Sequence, residues 1–145
     1  MIIRWQKTFD ASHRIYEDYH GKCHNLHGHT YRVEIEIEGK TDKRGMVVDF
    51  NLLKKLVHDF YDHKIILHRD DPLSICLKKA RQSIVLLSHN PTAENIAKQI
   101  ACNLMGHLNI EQVKVWVYET PSQGACYKLK RGEQVDIEWE EISFQ

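Results

Sequence analysis

Residues 23–31 read Cys-His-Asn-Leu-His-Gly-His-Thr-Tyr, and this stretch opens the segment that decides the fold. From Tyr31 to Ile37 apolar and polar residues alternate, which is typical of a half-buried strand. Because side chains two positions apart project from the same face of a strand, His27 and His29 can converge on one point. Zinc readily takes imidazole nitrogen as a ligand in tetrahedral sites. The pair therefore predicts a metal site at the start of a strand.

A metal ion needs further ligands, and the sequence offers several candidates. His13, at the end of the first apolar segment, is the leading third ligand, with His20 and His24 as competitors. Cys23, four residues before His27, is either a fourth ligand or a reactive group beside the metal. The chain has ten histidines in 145 residues, so ordinary surface or core histidines are the competing interpretation. The spacing favours the metal site.

Length and composition predict a single domain over residues 1–145 with one core. The chain has 20 basic and 20 acidic residues and a formal net charge of zero, so no large nucleic-acid footprint is expected. No apolar run approaches a membrane span, and the N-terminal segment lacks the uninterrupted apolar core of a signal peptide. The four cysteines form no close pair, which makes the reducing cytoplasm the expected location.

Hydrophobic spacing predicts two strands and then two helices. The first strand ends at His13 and the second runs from Thr30 to Glu38; antiparallel pairing would bring His13 near His27 and His29. Each helix begins after a good N-cap and shows an apolar face at helical spacing. One follows Asp49, with Leu52, Leu53, Leu56, Val57 and Phe60, and the other follows Thr92, with Ile96, Ile100, Leu104 and Leu108.

The last third of the chain alternates again. Strands are predicted over 113–117 and 126–129, and the alternating tail from Val135 to Trp139 could add an edge strand. Between the helices, Leu73 to Ala80 could add a helical turn or two, and periodicity does not settle the type of the apolar run 84–87. The order strand, strand, helices, strand, strand predicts an α+β domain with helices on one face of an antiparallel sheet.

Four separated motifs carry a resemblance to one family. They are Phe9-x-Ala11-x-His13, Cys23-x-x-x-His27-Gly28-His29-x-Tyr31, Asp62-His63 with Pro91-Thr92-Ala93-Glu94-Asn95, and Val117-x-Glu119-Thr120. From Phe9 to Tyr127 the chain resembles the 6-pyruvoyl-tetrahydropterin synthase and 6-carboxy-tetrahydropterin synthase family. The resemblance implies the tunnelling fold, a ββααββ chain whose four-stranded antiparallel sheet carries two main helices on one face. It also implies a homo-hexamer, a dimer of trimers with active sites between subunits.

The resemblance implies a zinc enzyme. Its Zn²⁺ would be held by His13, His27 and His29, which leaves an open fourth position, the arrangement of catalytic zinc sites. Cys23 would be the catalytic thiol and would move a proton at a substrate carbon. In the alternative interpretation Cys23 completes a closed Cys-His₃ site, and the protein is a non-catalytic, zinc-stabilised binding module.

Further roles follow from the same resemblance. Asp62 and His63 would form the catalytic dyad that reaches the zinc of a neighbouring subunit and relays protons, although a histidine at a helix C-terminus is also favourable without any function. Glu119 would accept two parallel N–H bonds from the pterin and fix its orientation. Thr92 is a helix cap first and a substrate contact second.

The spacing between Cys23 and His27 bears on the reaction. Three residues intervene, which resembles the 6-carboxy branch of queuosine and 7-deazapurine synthesis; the pyruvoyl branch typically has two more. The implied reaction converts 7,8-dihydroneopterin triphosphate to 6-carboxy-5,6,7,8-tetrahydropterin and releases triphosphate and acetaldehyde. The alternative is 6-pyruvoyl-tetrahydropterin synthesis or a related pterin lyase reaction. Two departures bear on the substrate: Leu67-His68 replaces the usual Leu-Asn pair, and the segment 69–90 is longer than usual.

Overall fold

The computed structural model describes residues 1–144. Seven strands are present in chain order: β1 Ile2–His13, β2 His27–Glu38, β3 Ile65–His68, β4 Ile84–Leu87, β5 Gln112–Thr120, β6 Gln123–Lys130 and β7 Trp139–Ile142. They form one mixed sheet in the order β6-β5-β2-β1-β3-β4-β7. Three helices accompany the sheet, α1 over 50–61, α2 Leu73–Lys79 and α3 Ala93–His107. No helix within residues 1–144 has the length and apolar character needed to cross a membrane.

The long antiparallel pair of β1 and β2 confirms the pairing predicted for the first two strands. Its register places His13 opposite His27 and Ala11 opposite His29. β2 begins at His27 and not at Thr30, because its first residues pair with the end of β1. β2 also pairs antiparallel with β5, and β5 with β6. The four antiparallel strands β6-β5-β2-β1 are therefore one part of a larger sheet.

The expected sheet of four strands was too small. β3 is parallel to β1 and to β4, and β7 adds antiparallel to β4. Apolar runs of three or four residues have no period that separates strand from helix, so the type of 84–87 stayed open and β3, with Ile65 to Leu67, was missed. Such runs suit parallel strands that are buried on both faces. Accordingly, Ile66, Val85 and Leu87 join the main core, and Leu67, Ile84 and Leu86 form a second cluster with Leu73 and Leu77 of α2.

The two predicted helices α1 and α3 cover one face of the sheet. Both N-caps form as predicted: the Asp49 carboxylate accepts from the Asn51 N–H, and the Thr92 hydroxyl accepts from the Asn95 N–H at 3.2 Å. The helices pack on the alternate residues of β2 and β5 that face them. The buried residues of this layer include Leu53, Val57, Ile96, Ile100, Leu104, Tyr31, Val33 and Val115.

Helix α1 contains a π-helical segment, Lys54–His58, between α-helical turns at Phe50–Leu53 and Asp59–Tyr61. The Asp59 N–H donates to the Lys54 carbonyl, five residues back. The helix ends at Tyr61, whose buried hydroxyl donates to Gln99 Oε1 of α3 at 2.5 Å. The π turn and the Tyr61–Gln99 hydrogen bond therefore together fix the position where the chain leaves α1 towards Asp62.

The loop that follows β1 is held by residues from the β3–β4 region. The Arg14 guanidinium pairs with both carboxylate oxygens of Asp71, with Nε 2.7 Å from Oδ2. The Asn90 side-chain oxygen accepts from the backbone N–H groups of Tyr16 and Glu17 at 3.0 and 3.2 Å. These contacts anchor the segment that leads to Cys23.

Candidate active site

Three histidines meet where β1 ends and β2 begins. The ligand nitrogens of His13, His27 and His29 all lie within 4.8 Å of one another. The Nε2 atoms of His13 and His27 are 3.2 Å apart. His29 Nε2 is buried and has no hydrogen-bond partner within residues 1–144. A buried nitrogen without a partner is costly unless something else satisfies it, so this group can accommodate a cation.

The ring orientation of two of these histidines is set by backbone carbonyls. His13 Nδ1 lies 2.7 Å from the Pro91 carbonyl oxygen, and His27 Nδ1 lies 2.7 Å from the Asn25 carbonyl oxygen. A carbonyl can only accept, so each Nδ1 carries the proton and each Nε2 keeps its lone pair. Metal-binding histidines typically have an outer hydrogen bond of this kind.

Burial favours the neutral form of two of these imidazoles, those of His13 and His29. Removal from water lowers the pKa of His13 to about 4, although its hydrogen bond to Pro91 acts in the opposite direction. Burial also lowers the pKa of His29, against the raising effect of the Glu119 carboxylate. Metals bind the neutral form of imidazole. His13 and His29 are therefore ready to bind a metal ion at neutral pH without first losing a proton.

Glu119 brings a carboxylate to the same place from the end of β5. Its Oε1 lies 3.9 Å from His13 Nε2, and its Oε2 lies 3.9 Å from His29 Nε2. Glu119 also lines an open pocket of about 330 Å³ together with Cys23 and Thr92. Glu119 and Thr92, the predicted substrate-binding residues, thus line the same cavity as Cys23, next to the histidines.

Cys23 lies on a short 3₁₀ turn, Lys22–His24, between β1 and β2. The turn is tied to the end of β1 by two hydrogen bonds: the Ile15 N–H donates to the Cys23 carbonyl at 2.9 Å, and His24 Nδ1 donates to the Ile15 carbonyl at 3.0 Å. The ligand cluster found in the described residues contains the three histidines and does not include Cys23. This arrangement favours a thiol beside the metal site over a closed Cys-His₃ site.

Asp62 and His63 form a connected pair directly after α1. Asp62 Oδ2 accepts from His63 Nδ1 at 2.7 Å, and Asp62 Oδ1 accepts from the Asp10 N–H at 3.0 Å. The His63 N–H in turn donates to the Asp10 carbonyl at 2.7 Å. Partial burial favours the protonated carboxyl, but the hydrogen bonds from Asp10 and His63 outweigh it and lower the pKa of Asp62. The carboxylate is therefore ionised and orients the imidazole.

The backbone of His63 is strained. Its φ of +61° lies in the left-handed region, which non-glycine residues rarely adopt and which costs on the order of 1 kcal/mol or more. Its side chain is 79% exposed, so burial of the ring does not explain this conformation. Strain of this kind is concentrated at functional sites.

The structure does not bring this pair to the Cys23 pocket of the same chain. His63 lines a different cavity of about 470 Å³ together with Asp10, Thr30 and His29. Cys23 and Glu119 do not line this cavity, and His63 does not line theirs. Within one chain the predicted thiol and the predicted dyad therefore line different cavities, and His29 lies at the cavity of His63.

Sequence reasoning missed two residues that shape the site. Asp10 holds both Asp62 and His63 through its backbone, and backbone contacts leave no residue-specific signal. Tyr19 lines the pocket beside Cys23; Gly21, directly before the turn, leaves room for the Tyr19 ring and was the available signal. His68, which stands where the resembling family usually has Asn, does not line that pocket. It is buried, and its Nε2 lies 3.3 Å from Glu17 Oε2.

Known proteins match this chain over most of its length. The family profile described as 6-pyruvoyl tetrahydropterin synthase matches residues 2–130. The 6-carboxy-5,6,7,8-tetrahydropterin synthase of Rickettsia conorii is 41% identical over 128 residues, which cover 79% of this chain and 90% of the relative. The protein of the same name from Bacillus subtilis is 36% identical over 128 residues and covers 84% of this chain and 81% of the relative. The structure of Plasmodium falciparum 6-pyruvoyl tetrahydropterin synthase shares the fold, with a TM-score of 0.65 at 20% identity, over 90% of this chain and 98% of that one.

Proposed function

Because the chain belongs to the 6-pyruvoyl tetrahydropterin synthase family, we propose that it is a pterin lyase that converts 7,8-dihydroneopterin triphosphate to 6-carboxy-5,6,7,8-tetrahydropterin. One water molecule is consumed, and triphosphate and acetaldehyde are the other products. The observation that carries the proposal is the convergence of three imidazoles beside a pocket lined by Cys23 and Glu119. The names of the relatives and the spacing of Cys23 and His27 support the carboxy product, which would place the enzyme in queuosine and 7-deazapurine synthesis, in the cytoplasm.

The proposed cofactor is Zn²⁺, bound by His13, His27 and His29. Three nitrogen ligands with free Nε2 lone pairs suit this ion and leave a fourth position for substrate. The unpartnered Nε2 of His29 supports the assignment. When bound, zinc supplies Lewis-acid polarisation of the side-chain hydroxyls of the substrate.

Cys23 and Glu119 act on opposite ends of the proposed substrate. The Cys23 sulfur takes a proton from, or returns one to, the side-chain carbon next to a hydroxyl. The Glu119 carboxylate accepts two parallel N–H bonds from the pterin amide and amino groups, which fixes the ring. Thr92 already accepts from the Asn95 N–H as a helix cap, so its hydroxyl is secondary for substrate binding.

His63 moves protons to and from a side-chain oxygen of the substrate. Its Nδ1 is held by Asp62, which leaves Nε2 free for the relay. In the proposed assembly this dyad comes from a neighbouring chain. The separation of the His63 and Cys23 pockets within one chain supports a shared site.

The sheet edges support a closed ring. β6 lies at one end of the strand order, and β3 pairs with β1 only at Ser12 and His13 in the described chain. A long edge of β1 thus remains for a strand of another copy, and closure into a barrel covers such edges. We propose a homo-hexamer built as a dimer of trimers, with the dyad of one chain completing the site of the next.

The decisive experiment incubates zinc-loaded protein with 7,8-dihydroneopterin triphosphate and identifies the pterin and any acetaldehyde. We expect 6-carboxy-tetrahydropterin with stoichiometric acetaldehyde, and no product from metal-stripped protein. The description of the matched family favours 6-pyruvoyl-tetrahydropterin as the second candidate product, and its appearance without acetaldehyde would select that reaction. The absence of any turnover, together with a zinc ion that has no exchangeable water, would favour the non-catalytic module.

A further inference from the structure

Glu119 is paired with neither of the strands that flank β5. The pairing of β5 with β2 ends at Tyr118. On the other side Tyr118 pairs with Gly124 and the next pair is Thr120 with Gln123, so the register shifts and skips Glu119 among the described strands. A bulge of this kind re-aims a side chain and is common beside active sites. Tyr118 is therefore the last residue before Glu119 that is anchored on both sides.

The contacts of the Glu119 carboxylate with the histidines do not fix its direction. Its two oxygens lie 3.9 Å from the Nε2 atoms of His13 and His29, which is beyond hydrogen-bond distance. The same residue lines the pocket that contains Cys23. The direction of this side chain therefore depends on its backbone, and that backbone is anchored at the preceding residue.

The ring of Tyr118 is held by Arg32 of β2. The two residues are directly opposite each other, and the guanidinium carbon lies 4.2 Å from the ring centroid, a geometry in which cation and ring attract each other. Arg32 Nε is buried without a hydrogen-bond partner within residues 1–144, and Glu34 Oε1 is 3.7 Å from it. The contact with the ring, and not a hydrogen bond from Nε, therefore accounts for the position of the guanidinium.

Gly124 leaves room for the same ring on the side of β6. Its φ is not in the left-handed region, so the backbone conformation does not require glycine. A Cβ at this position, however, would lie 2.8 Å from Tyr118 Cγ and 2.7 Å from the Val117 carbonyl oxygen, closer than real Cβ contacts. The missing side chain therefore lets the Tyr118 ring pack against β6 at the pair directly before the bulge.

We propose that Arg32, Tyr118 and Gly124 are positioning residues for Glu119. The guanidinium and the glycine hold the Tyr118 ring between β2 and β6, and the anchored Tyr118 backbone aims the Glu119 carboxylate towards the histidines. The three residues act through Glu119 and need no contact with substrate. Their effect on pterin binding rests on the proposed function, whereas their effect on the direction of Glu119 can be measured without substrate.

The test measures the affinity of full-length, zinc-loaded protein for neopterin, a non-reacting pterin, by fluorescence titration. Tyr118→Leu should lower the affinity roughly three- to tenfold at unchanged zinc content, and Gly124→Ala, which displaces the ring, should act in the same direction. Arg32→Gln should lower it roughly two- to fivefold. Tyr118→Phe keeps the ring and should bind like wild type. The matched control is Trp116→Leu, which removes an aromatic ring from β5 where the pairing on both sides is regular, and it should leave the affinity unchanged.

A double variant separates positioning from general destabilisation. Because Tyr118 acts through Glu119, Tyr118→Leu should weaken neopterin binding no further in a Glu119→Gln background. Wild-type affinity in Tyr118→Leu, Gly124→Ala and Arg32→Gln, or a fully additive loss in the double variant, would overturn the inference.

Crystal structures of the zinc-loaded variants give a readout that does not involve pterin. The Glu119 carboxylate should move away from His13 and His29 in Gly124→Ala and stay in place in Trp116→Leu. Wild-type protein that binds no neopterin would refute the proposed function. In that case a displaced carboxylate in Gly124→Ala would still support the positioning role, and an unmoved one would overturn it.

Discussion

His13 and His27 face each other across the antiparallel pair of β1 and β2, with their Nε2 atoms 3.2 Å apart. In both rings the proton is on Nδ1, which donates a hydrogen bond to a backbone carbonyl. The two Nε2 atoms therefore both carry lone pairs, and these point at each other. That contact is repulsive unless a cation lies between the nitrogens. The same register puts Ala11 opposite His29 and brings the third imidazole to this point.

The first prediction concerns metal content. His29→Ala should lose the bound ion under mild chelator challenge, with an affinity loss beyond the roughly 10- to 100-fold that follows loss of an outer partner. The control, His89→Ala, removes a histidine that lies outside the cluster. Elemental analysis after dialysis measures both variants. Retention of wild-type metal in His29→Ala would exclude the three-histidine site.

Cys23→Ala should keep its metal and its fold but lose turnover, because the thiol is proposed to move a proton and not to bind the ion. Zinc analysis, thermal unfolding and product formation are measured on the same preparation. Cys76→Ala changes an exposed cysteine and should remain active. If Cys23→Ala loses the metal, the closed Cys-His₃ site becomes the better interpretation.

Glu119→Gln should weaken pterin binding by roughly 10- to 100-fold while metal content stays the same. The amide accepts at one of the two pterin donors and presents its own NH₂ to the other, which leaves donors unpaired. Glu94→Gln is the matched control, because it neutralises another carboxylate of the same pocket. Titration with a non-reacting pterin measures the affinity, and equal values for wild type and Glu119→Gln would remove Glu119 from the site.

The shared site can be tested by mixing two inactive variants. Cys23→Ala and His63→Ala subunits are dissociated, combined in equal amounts and reassembled. If each site takes Cys23 and His63 from different chains, about a quarter of the sites combine two intact halves, and activity should return to about that fraction of wild type. Mass spectrometry of the intact assembly controls for exchange. An exchanged mixture without activity would show that both halves belong to one chain.

Stability should depend on the ion pair of Arg14 and Asp71. Burial raises the pKa of Asp71, but the hydrogen bonds from Arg14 and from the Leu73 N–H outweigh it and hold this pKa below its ordinary value. The stabilisation is therefore present above the unfolded-state pKa of about 4 and is lost as the pH falls through the lower native value. Asp71→Asn leaves the Arg14 charge without a partner and should cost about 3 kcal/mol of unfolding free energy at pH 7. The difference in unfolding free energy between Asp71→Asn and wild type should shrink towards pH 2.

Urea unfolding at several pH values measures this effect. Asp70→Asn is the matched control, because its neighbouring carboxylate is exposed and exposed pairs contribute little. A constant difference between Asp71→Asn and wild type from pH 7 to pH 2 would contradict the assigned cause.

The sequence predicted those parts of the fold in which a period is long enough to detect. Alternation over 31–37 identified β2 and alternation over 113–117 identified β5, and capped apolar faces identified α1 and α3. β3 has only four residues, and its pairing with β1 at Ser12 and His13 is a long-range contact. No local pattern encodes that contact, so the size of the sheet was underestimated.

The residues of the candidate site also differ in whether a local sequence pattern or a long-range contact places them. His27 and His29 are set by the period of one strand, and His13 by the pairing of two predicted strands, so these three residues could be placed together from the sequence. Asp62 and His63 depend on where a helix ends and which face of the sheet it meets. That geometry arises from the β1 backbone at Asp10, whose contribution is independent of side-chain identity.

The π-helical segment within α1 keeps the direction of the dyad although the helix holds an extra residue. A π turn holds one residue more than the α-helical turn that it replaces, so Lys54–His58 behaves as a retained insertion. The same residues wound as a regular α-helix would turn the chain beyond them by about 100°, and Asp62 and His63 would then miss the Asp10 backbone. A homologue that lacks one residue in this segment should therefore have a regular helix and the same placement of its dyad.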